Sequence, residues 1–128
     1  HLGVKQCDAI DIDQTAVDTT IQNLKQNGIQ TVSVQNQDIL TWSPQQTYDI
    51  VIANVLTEVI ENVLTKLLSF LNQSGRLIVS GISDNWLESI ETLIATQLNS
   101  ANSQDSKTNY SYTVAVNNGW GCFLITKS

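Results

Sequence analysis

Three polar side chains stand at or just beyond the ends of apolar, β-branched runs, where ligands commonly bind in α/β proteins. Asp11 closes the first such run, and Asp38 follows the second. A carboxylate in the position of Asp11 can accept hydrogen bonds from two vicinal ribose hydroxyls, which indicates a nucleoside ligand. Asp38 can accept a hydrogen bond from the exocyclic amine of a bound base. The two acids therefore predict a nucleoside site, with a solvated strand-end acid or an exposed loop acid as the alternatives.

Asn54 is the third polar side chain, and it ends the apolar run at 50–53. Its carboxamide has an oxygen that accepts hydrogen bonds and an NH₂ group that donates them. Such a group can hold a nucleophilic amine with the lone pair facing an electrophile, which is catalysis by positioning. Asparagine is also a good N-cap, so Asn54 can instead, or in addition, begin the helix that follows.

The spacing of the apolar residues predicts the elements that hold these side chains. The middle of residues 48–54 is an apolar run without alternation, which predicts a strand buried on both faces of a parallel sheet. Helices are predicted where apolar residues recur at a spacing near 3.6, with Asp13 as the N-cap of the first. The predicted strands are 4–11, 31–34, 48–54, 76–80, 110–116 and 120–126, and the predicted helices are 15–27, 57–71 and about 84–98.

The order of these elements, β-α-β-β-α-β-α-β-β, predicts an α/β fold. Strands that alternate with helices of this length need right-handed crossovers and a parallel sheet. The turn at 117–119 predicts that the last two strands form an antiparallel hairpin. We therefore expect one domain over 1–128, with a doubly wound, mostly parallel sheet that ends in this hairpin. Residues 1–3 are predicted to end a helix, and the polar segment 101–109 is predicted to be mobile.

Charge and composition exclude several classes of function. Twelve acidic and six basic side chains give a net charge of −6, which disfavours direct binding of nucleic acid and mildly favours a basic partner. No apolar run is long enough to span a bilayer, so we expect a soluble, cytoplasmic protein. The only histidine is His1, the two cysteines lack metal-ligand spacing, and no Gly-rich loop joins a strand to a helix. A metal site, a histidine-based catalytic set and a phosphate cradle are therefore not expected.

Several short motifs occur in one order along nearly the whole chain, and together they resemble a known family. They are residues 9–17 (Ala-Ile-Asp-Ile-Asp-Gln-Thr-Ala-Val), Asn27-Gly28, residues 48–56, Ser74-Gly75-Arg76-Leu77, Ser80-Gly81-Ile82 and Trp120. The set resembles the catalytic domain of the PrmA-type ribosomal protein methyltransferases, which use S-adenosylmethionine.

This resemblance implies a Rossmann-like class I methyltransferase fold with S-adenosylmethionine as the cofactor. It implies that Asp11 binds the cofactor ribose and that Asn54 lies beside the methyl group and the incoming amine. Asp38 is similar in position to the acid that contacts adenine in many such enzymes. The family methylates amino groups, mainly of lysine, on a large-subunit ribosomal protein. The resemblance thus implies a protein-lysine N-methyltransferase with a basic ribosomal protein as its partner, which suits the negative charge.

The family's first strand and Gly-rich loop would precede His1, so the resemblance is to the C-terminal part of the catalytic domain. Without that loop, we expect the isolated chain to bind S-adenosylmethionine weakly or not at all. The strands that end at Asp11 and Asn54 must then pair directly, leave a slot, or accept a strand from another copy of the chain. Two other functions stay open: methylation of RNA or a glutamine amide, and a non-catalytic Rossmann-like binding module. Val55-Leu56 after Asn54, in place of prolines and an aromatic residue, favours an aliphatic amine over a planar substrate.

Overall fold

The computed structural model describes residues 3–128, which divide into two compact units that meet in sequence between Ser43 and Pro44. The elements are β1 (Cys7–Asp11), α1 (Gln14–Gln26), β2 (Val32–Asn36), β3 (Tyr48–Asn54), α2 (Thr57–Ser69), β4 (Leu71–Ser83), α3 (Asp84–Gln104), β5 (Tyr110–Asn117) and β6 (Trp120–Lys127). The helical turn predicted at 1–3 involves His1 and Leu2, which lie outside the described residues.

The first unit contains a two-stranded parallel sheet with one crossover helix. β1 pairs with β2 in a regular register that runs to Asp11 opposite Asn36, and α1 connects the two strands. The predicted cap of α1 is confirmed, because the Asp13 side chain accepts a hydrogen bond from the backbone N–H of Thr15 at 2.8 Å. This cap satisfies one of the backbone donors that the first turn of a helix leaves free.

The second unit contains a four-stranded mixed sheet in the order β3-β4-β6-β5. β3 and β4 are parallel, whereas β6 is antiparallel to both of its neighbours. The predicted hairpin between β5 and β6 is confirmed, with Asn118 at φ 49° and Gly119 at φ 79° in a two-residue turn. Positive φ at both residues is the feature that matches a tight turn to the twist of the strands. Among the described strands, β1 and β3 do not pair directly, because each belongs to a different sheet.

The core of the second unit lies on one face of its sheet. Alternate residues of β4 and β6 are buried there, namely Leu77, Val79, Phe123 and Ile125. α3 covers this face, where Leu87 lies directly over Gly121 and occupies the space that a Cβ there would need. α2 packs beside α3, and the Thr65 hydroxyl donates to Gln97 Oε1 at 2.9 Å.

The prediction that residues 48–54 are buried on both faces is wrong. Ile50 is 55% exposed and Ile52 is 70% exposed, whereas Ala53 is buried. Within the second unit, α2 and α3 pack against each other on one face of the sheet, and Ile50 and Ile52 point to the other face. The apolar run indicates a strand with apolar residues on both faces. Within the second unit, helices cover only one of those faces.

Two elements are longer than the sequence predicts. α3 continues to Gln104, so the first part of the polar segment 101–109 is helical rather than mobile. β4 begins at Leu71 rather than at residue 76, although Ser74 within it has a φ of 64°. No helix among residues 3–128 is long and apolar enough to cross a membrane.

Asp105, at the end of α3, should make the stability of the fold depend on pH in the acid range. Its Oδ1 accepts from the backbone N–H of Lys107 at 2.9 Å, and its Oδ2 accepts from the Thr108 hydroxyl at 2.7 Å. These bonds, the first more than the second, hold the pKa of Asp105 below its ordinary value of 3.8. A carboxylate whose pKa is lower in the folded state stabilises the fold above the unfolded-state pKa, and this stabilisation is lost as pH falls through the folded-state pKa.

We therefore expect an NMR titration of the Asp105 carboxyl carbon to have its midpoint below 3.8. The Asp105→Asn variant should lose this part of the acid dependence of unfolding. A midpoint at or above 3.8 would contradict the assignment.

Candidate functional site

Asp11 is an exposed residue at the carboxyl end of β1, and its carboxylate is held in one orientation. Its Oδ1 accepts from the backbone N–H of Asp13 at 2.9 Å. Within residues 3–128, Oδ2 accepts no hydrogen bond. The Asn36 side chain fixes the backbone at this point, because its NH₂ group donates to the carbonyls of Asp11 at 3.2 Å and Ile12 at 2.9 Å. The end of β1 therefore presents a carboxylate oxygen that is free to accept from a ligand.

Asp38 lies just beyond the carboxyl end of β2 and is half-buried. Its Oδ1 accepts from the backbone N–H of Leu40 at 2.9 Å, and its carbonyl accepts from the N–H groups of Thr41 and Trp42. These bonds form a turn of the kind that aspartate favours. The structure thus gives Asp38 a local structural role, with only part of its carboxylate available to a ligand.

Asn54 lies at the carboxyl end of β3, opposite Ser80 of β4, and it is exposed. Its carboxamide makes no hydrogen bond with any other residue in the range 3–128. The proposed N-cap role is wrong, because α2 begins at Thr57 with Leu56 at the N-cap position and without a side-chain capping bond. Both the acceptor and the donors of the carboxamide are therefore free for a ligand.

Gly81 of β4 lies beside the Asn54 side chain. A Cβ on Gly81 would lie next to the Asn54 Oδ1 atom, closer than real Cβ atoms approach a heavy atom. Gly81 also has a φ of 81°, and the pairing of β4 with β6 shifts between Ser80 and Ile82. These are the features of a β-bulge, and bulges are common next to active sites. Among residues 3–128, no group of three or more His, Cys, Asp or Glu side chains could hold a metal ion.

Comparison with known proteins identifies the family of this chain. The family model of the ribosomal protein L11 methyltransferases (PrmA) matches residues 1–127. The chain belongs to the PrmA family. The resemblance noted in the sequence is thereby confirmed.

Individual PrmA relatives cover this chain only in part. The chain is 33% identical over 91 residues to the ribosomal protein L11 methyltransferase of Staphylococcus aureus (strain JH1), an alignment that covers 71% of this chain and 29% of the relative. It is 35% identical over 81 residues to that of Staphylococcus carnosus (strain TM300), covering 63% of this chain and 26% of the relative. The matched region thus spans less than a third of these relatives.

Solved structures confirm the predicted Rossmann-like class I methyltransferase fold. The ribosomal protein L11 methylase from Lactobacillus delbrueckii subsp. bulgaricus superposes with a TM-score of 0.81 at 25% identity, over 99% of this chain and 60% of that one. An rRNA methylase from Streptococcus thermophilus superposes with a TM-score of 0.71 at 18% identity, over 96% of this chain and 74% of that one. The second likeness shows the fold alone.

The structure places the three predicted PrmA site residues in two groups. Asp11 and Asp38 belong to the first unit, at the carboxyl ends of the adjacent strands β1 and β2, and Asn54 belongs to the second unit. Sequence reasoning missed the contributions of Asn36 and Gly81. The signal for Gly81 was a glycine directly after an apolar strand, which is compatible with a bulge but does not reveal which side chain uses the space.

Proposed function

We propose that this chain is the C-terminal part of the catalytic domain of an S-adenosylmethionine-dependent methyltransferase. Its substrate would be a lysine amino group on a large-subunit ribosomal protein, and residues 1–128 would form one truncated domain. The observation that carries the proposal is the exposed, unpartnered carboxamide of Asn54 at the carboxyl end of a parallel strand. In α/β sheets this edge is where ligands bind.

The acids of the first unit fit the nucleoside part of S-adenosylmethionine. The ribose hydroxyls are donors, and Asp11 has a fixed carboxylate with one oxygen free to accept from them. We assign Asp38 to the adenine amine as part of the same proposal. Its Oδ1 already accepts from the backbone N–H of Leu40, so Oδ2 is the oxygen assigned to the amine. When bound, S-adenosylmethionine supplies an electrophilic methyl group.

Asn54 would act on the amine rather than on the methyl group. Its carboxamide oxygen can accept a hydrogen bond from an uncharged amine, which directs the nitrogen lone pair away from Asn54. Holding a nucleophile in line with an electrophile removes much of the entropic cost of bringing them together. Asn54 would thus contribute by positioning, without a covalent intermediate and without itself taking the proton.

The partner in this proposal is a basic ribosomal protein, with no direct contact to nucleic acid and none to a membrane. The net charge of −6 supports it, because opposite charge accelerates encounter with a lysine-rich partner. A cytoplasmic location follows from the same proposal, since the substrate is a component of ribosomes.

A reconstituted enzyme tests the proposal. In this chimera, the present chain replaces the matching part of the S. aureus relative, and the isolated chain serves as a comparison. Methyl transfer from labelled S-adenosylmethionine is measured with ribosomal protein L11, with ribosomal RNA and with a protein whose acceptor is a glutamine amide. We expect label on L11 lysine. Label on RNA or glutamine would instead support the other methyltransferase functions, and a folded chimera without transfer to any substrate would support a non-catalytic module.

Asp11 gives a separate prediction about the cofactor. In the chimera, Asp11→Asn should weaken binding of S-adenosylmethionine by about 10–100-fold, because hydrogen bonds to charged groups contribute roughly 1.5–3 kcal/mol. Asn retains the acceptor for the N–H of Asp13, so the backbone should keep its conformation. Calorimetry measures the affinity.

Asp13→Asn is the matched control, because it removes the same charge two residues away and asparagine caps a helix as well as aspartate does. The assignment of Asp11 fails if both variants weaken binding equally. We also expect calorimetry on the isolated chain to give weak or undetectable binding, and low-micromolar affinity would contradict that expectation.

A further inference from the structure

The bulge in β4 is a local departure from a regular strand, and it occurs beside Asn54. β4 pairs regularly with β6 up to Ser80 opposite Cys122, and the register then shifts so that Ile82 lies opposite Gly121. Gly81 is the extra residue, with a φ of 81°. An L-residue with a side chain rarely adopts this conformation, so the bulge needs glycine.

The space above Gly81 is occupied by the carboxamide of Asn54. From the position of a Cβ on Gly81, the Asn54 Cγ atom lies at 3.3 Å and Nδ2 at 3.9 Å, with Oδ1 nearer still. The carboxamide therefore occupies the space that a side chain at position 81 would need, with Oδ1 as the nearest atom. No hydrogen bond within residues 3–128 fixes the carboxamide, so packing sets its orientation, and the contact with Gly81 is part of that packing.

We propose that Gly81 is a positioning residue for Asn54. The glycine bulge would provide the space, called the seat below, in which the carboxamide at the end of β3 lies. The inference rests on the proposed function, in which Asn54 orients the amine. A side chain at position 81 would push the carboxamide out of its seat into another rotamer. The hydrogen-bonding groups of Asn54 would remain, but they would point elsewhere.

The consequence differs from that of a general loss of stability. Displacing the carboxamide should lower the rate of the bound complex, because a misplacement of about 1 Å costs roughly 10²-fold in rate. It should leave the affinity for S-adenosylmethionine nearly unchanged, because the nucleoside is assigned to Asp11 and Asp38. A split between kcat and KM therefore separates positioning from unfolding.

The contact is tested first, in the isolated chain and without reference to activity. Gly81→Ala carries a backbone cost from its φ of 81° and a steric cost from Asn54. Gly119→Ala is the matched control, because its φ is 79° and its nearest neighbour would be at an ordinary 3.7 Å. Chemical denaturation should show a greater destabilisation for Gly81→Ala than for Gly119→Ala.

A double-mutant cycle isolates the contact with Asn54. In an Asn54→Ala background the carboxamide is gone, so the cost of Gly81→Ala should fall to that of Gly119→Ala. An unchanged cost would overturn the proposed seat. Nuclear Overhauser contacts between the Gly81 Hα protons and the Asn54 side-chain NH₂ and Hβ protons should be present in the unsubstituted chain, and their absence would also overturn it.

The role is then tested in the chimera. We expect Gly81→Ala to lower kcat by about 10²-fold, with KM for S-adenosylmethionine within about 3-fold, and Gly119→Ala to leave both nearly unchanged. If Asn54→Ala lowers kcat and Gly81→Ala does not, the positioning role fails and the proposed function stands. If Asn54→Ala itself leaves kcat unchanged, the role of Asn54 and that of Gly81 fail together.

If Gly81→Ala does not fold, Asn54→Gln provides a second test of the proposal. Glutamine has the same carboxamide on a longer stem, so it cannot occupy the same seat over Gly81. We expect Asn54→Gln to lower kcat nearly as much as Asn54→Ala. Full activity of Asn54→Gln would overturn the proposal that the seat matters.

Discussion

Asn54→Ala should lower kcat for methyl transfer by about 10²–10³-fold in the reconstituted enzyme, the range found when a single preorganised hydrogen-bonding group is removed from an active site. The physical reason is that the carboxamide lies exposed at a strand end, without a hydrogen-bond partner within residues 3–128, and beside Gly81. Alanine removes the group that would orient the amine. Binding of S-adenosylmethionine should change little, so KM for this substrate should stay within about 3-fold.

The effect of Asn54→Ala must be distinguished from a loss of folding. The Asn54 side chain makes no hydrogen bond within residues 3–128 and does not cap α2, so its removal should change the free energy of unfolding by less than about 0.5 kcal/mol. Asn62→Ala, on the exposed side of α2, is the matched control and should leave both kcat and stability unchanged. A kcat for Asn54→Ala within about 3-fold of the unsubstituted enzyme would contradict the proposed role.

Local features of the fold could be predicted because short segments of sequence determine them. Asp13 caps α1 through its own side chain, and the turn at Asn118-Gly119 needs only two residues that tolerate positive φ. Alternation of strands and helices was likewise enough to predict an α/β fold. These inferences depend on interactions between residues that are neighbours in the chain, so they hold without knowledge of the rest.

Features that depend on distant residues were predicted less well. The burial of residues 48–54 depends on which elements cover each face of the sheet, and the sequence of the strand cannot reveal that Ile52 is left exposed. The same limit applied at Asn54. Its residue type and its place at a strand end predicted either a catalytic role or a helix N-cap. The N-cap was excluded only by the structure, in which α2 begins at Thr57.

The contact between Asn54 and Gly81 shows why the candidate site was only partly visible in the sequence. The two residues lie on different strands. The bulge at Gly81, which brings it next to Asn54, depends on the register of β4 against β6. A glycine after an apolar run has many explanations. The reason for the missing side chain becomes clear only when the structure shows which neighbouring group fills that space. The residues that offer chemistry were predictable, whereas the residue that orients one of them was not.

Phe123→Ala should produce the largest loss of stability among the substitutions considered. The Phe123 side chain is fully buried at the centre of β6, and its ring lies 6.2 Å from that of Tyr112, measured between centroids. Truncating a buried phenylalanine removes apolar contacts and leaves a cavity, which costs about 3–5 kcal/mol. Domains of this size have about 5–15 kcal/mol of stability in total. The variant should therefore lose a large share of its free energy of unfolding and unfold at a much lower denaturant concentration.

Leu124→Ala is the matched control, because Leu124 is the next residue of the same strand and points to the opposite, uncovered face with 36% exposure. It should cost about 1 kcal/mol, well below the cost of Phe123→Ala, since part of the leucine side chain is already exposed and no closed cavity is left. Amide hydrogen exchange in β4 and β6 reports the second unit by itself, and a loss of 3–5 kcal/mol should accelerate it by about 10²–10⁴-fold in Phe123→Ala. Equal acceleration by the two variants would mean that both faces of the sheet are covered in solution, which would contradict the one-sided core.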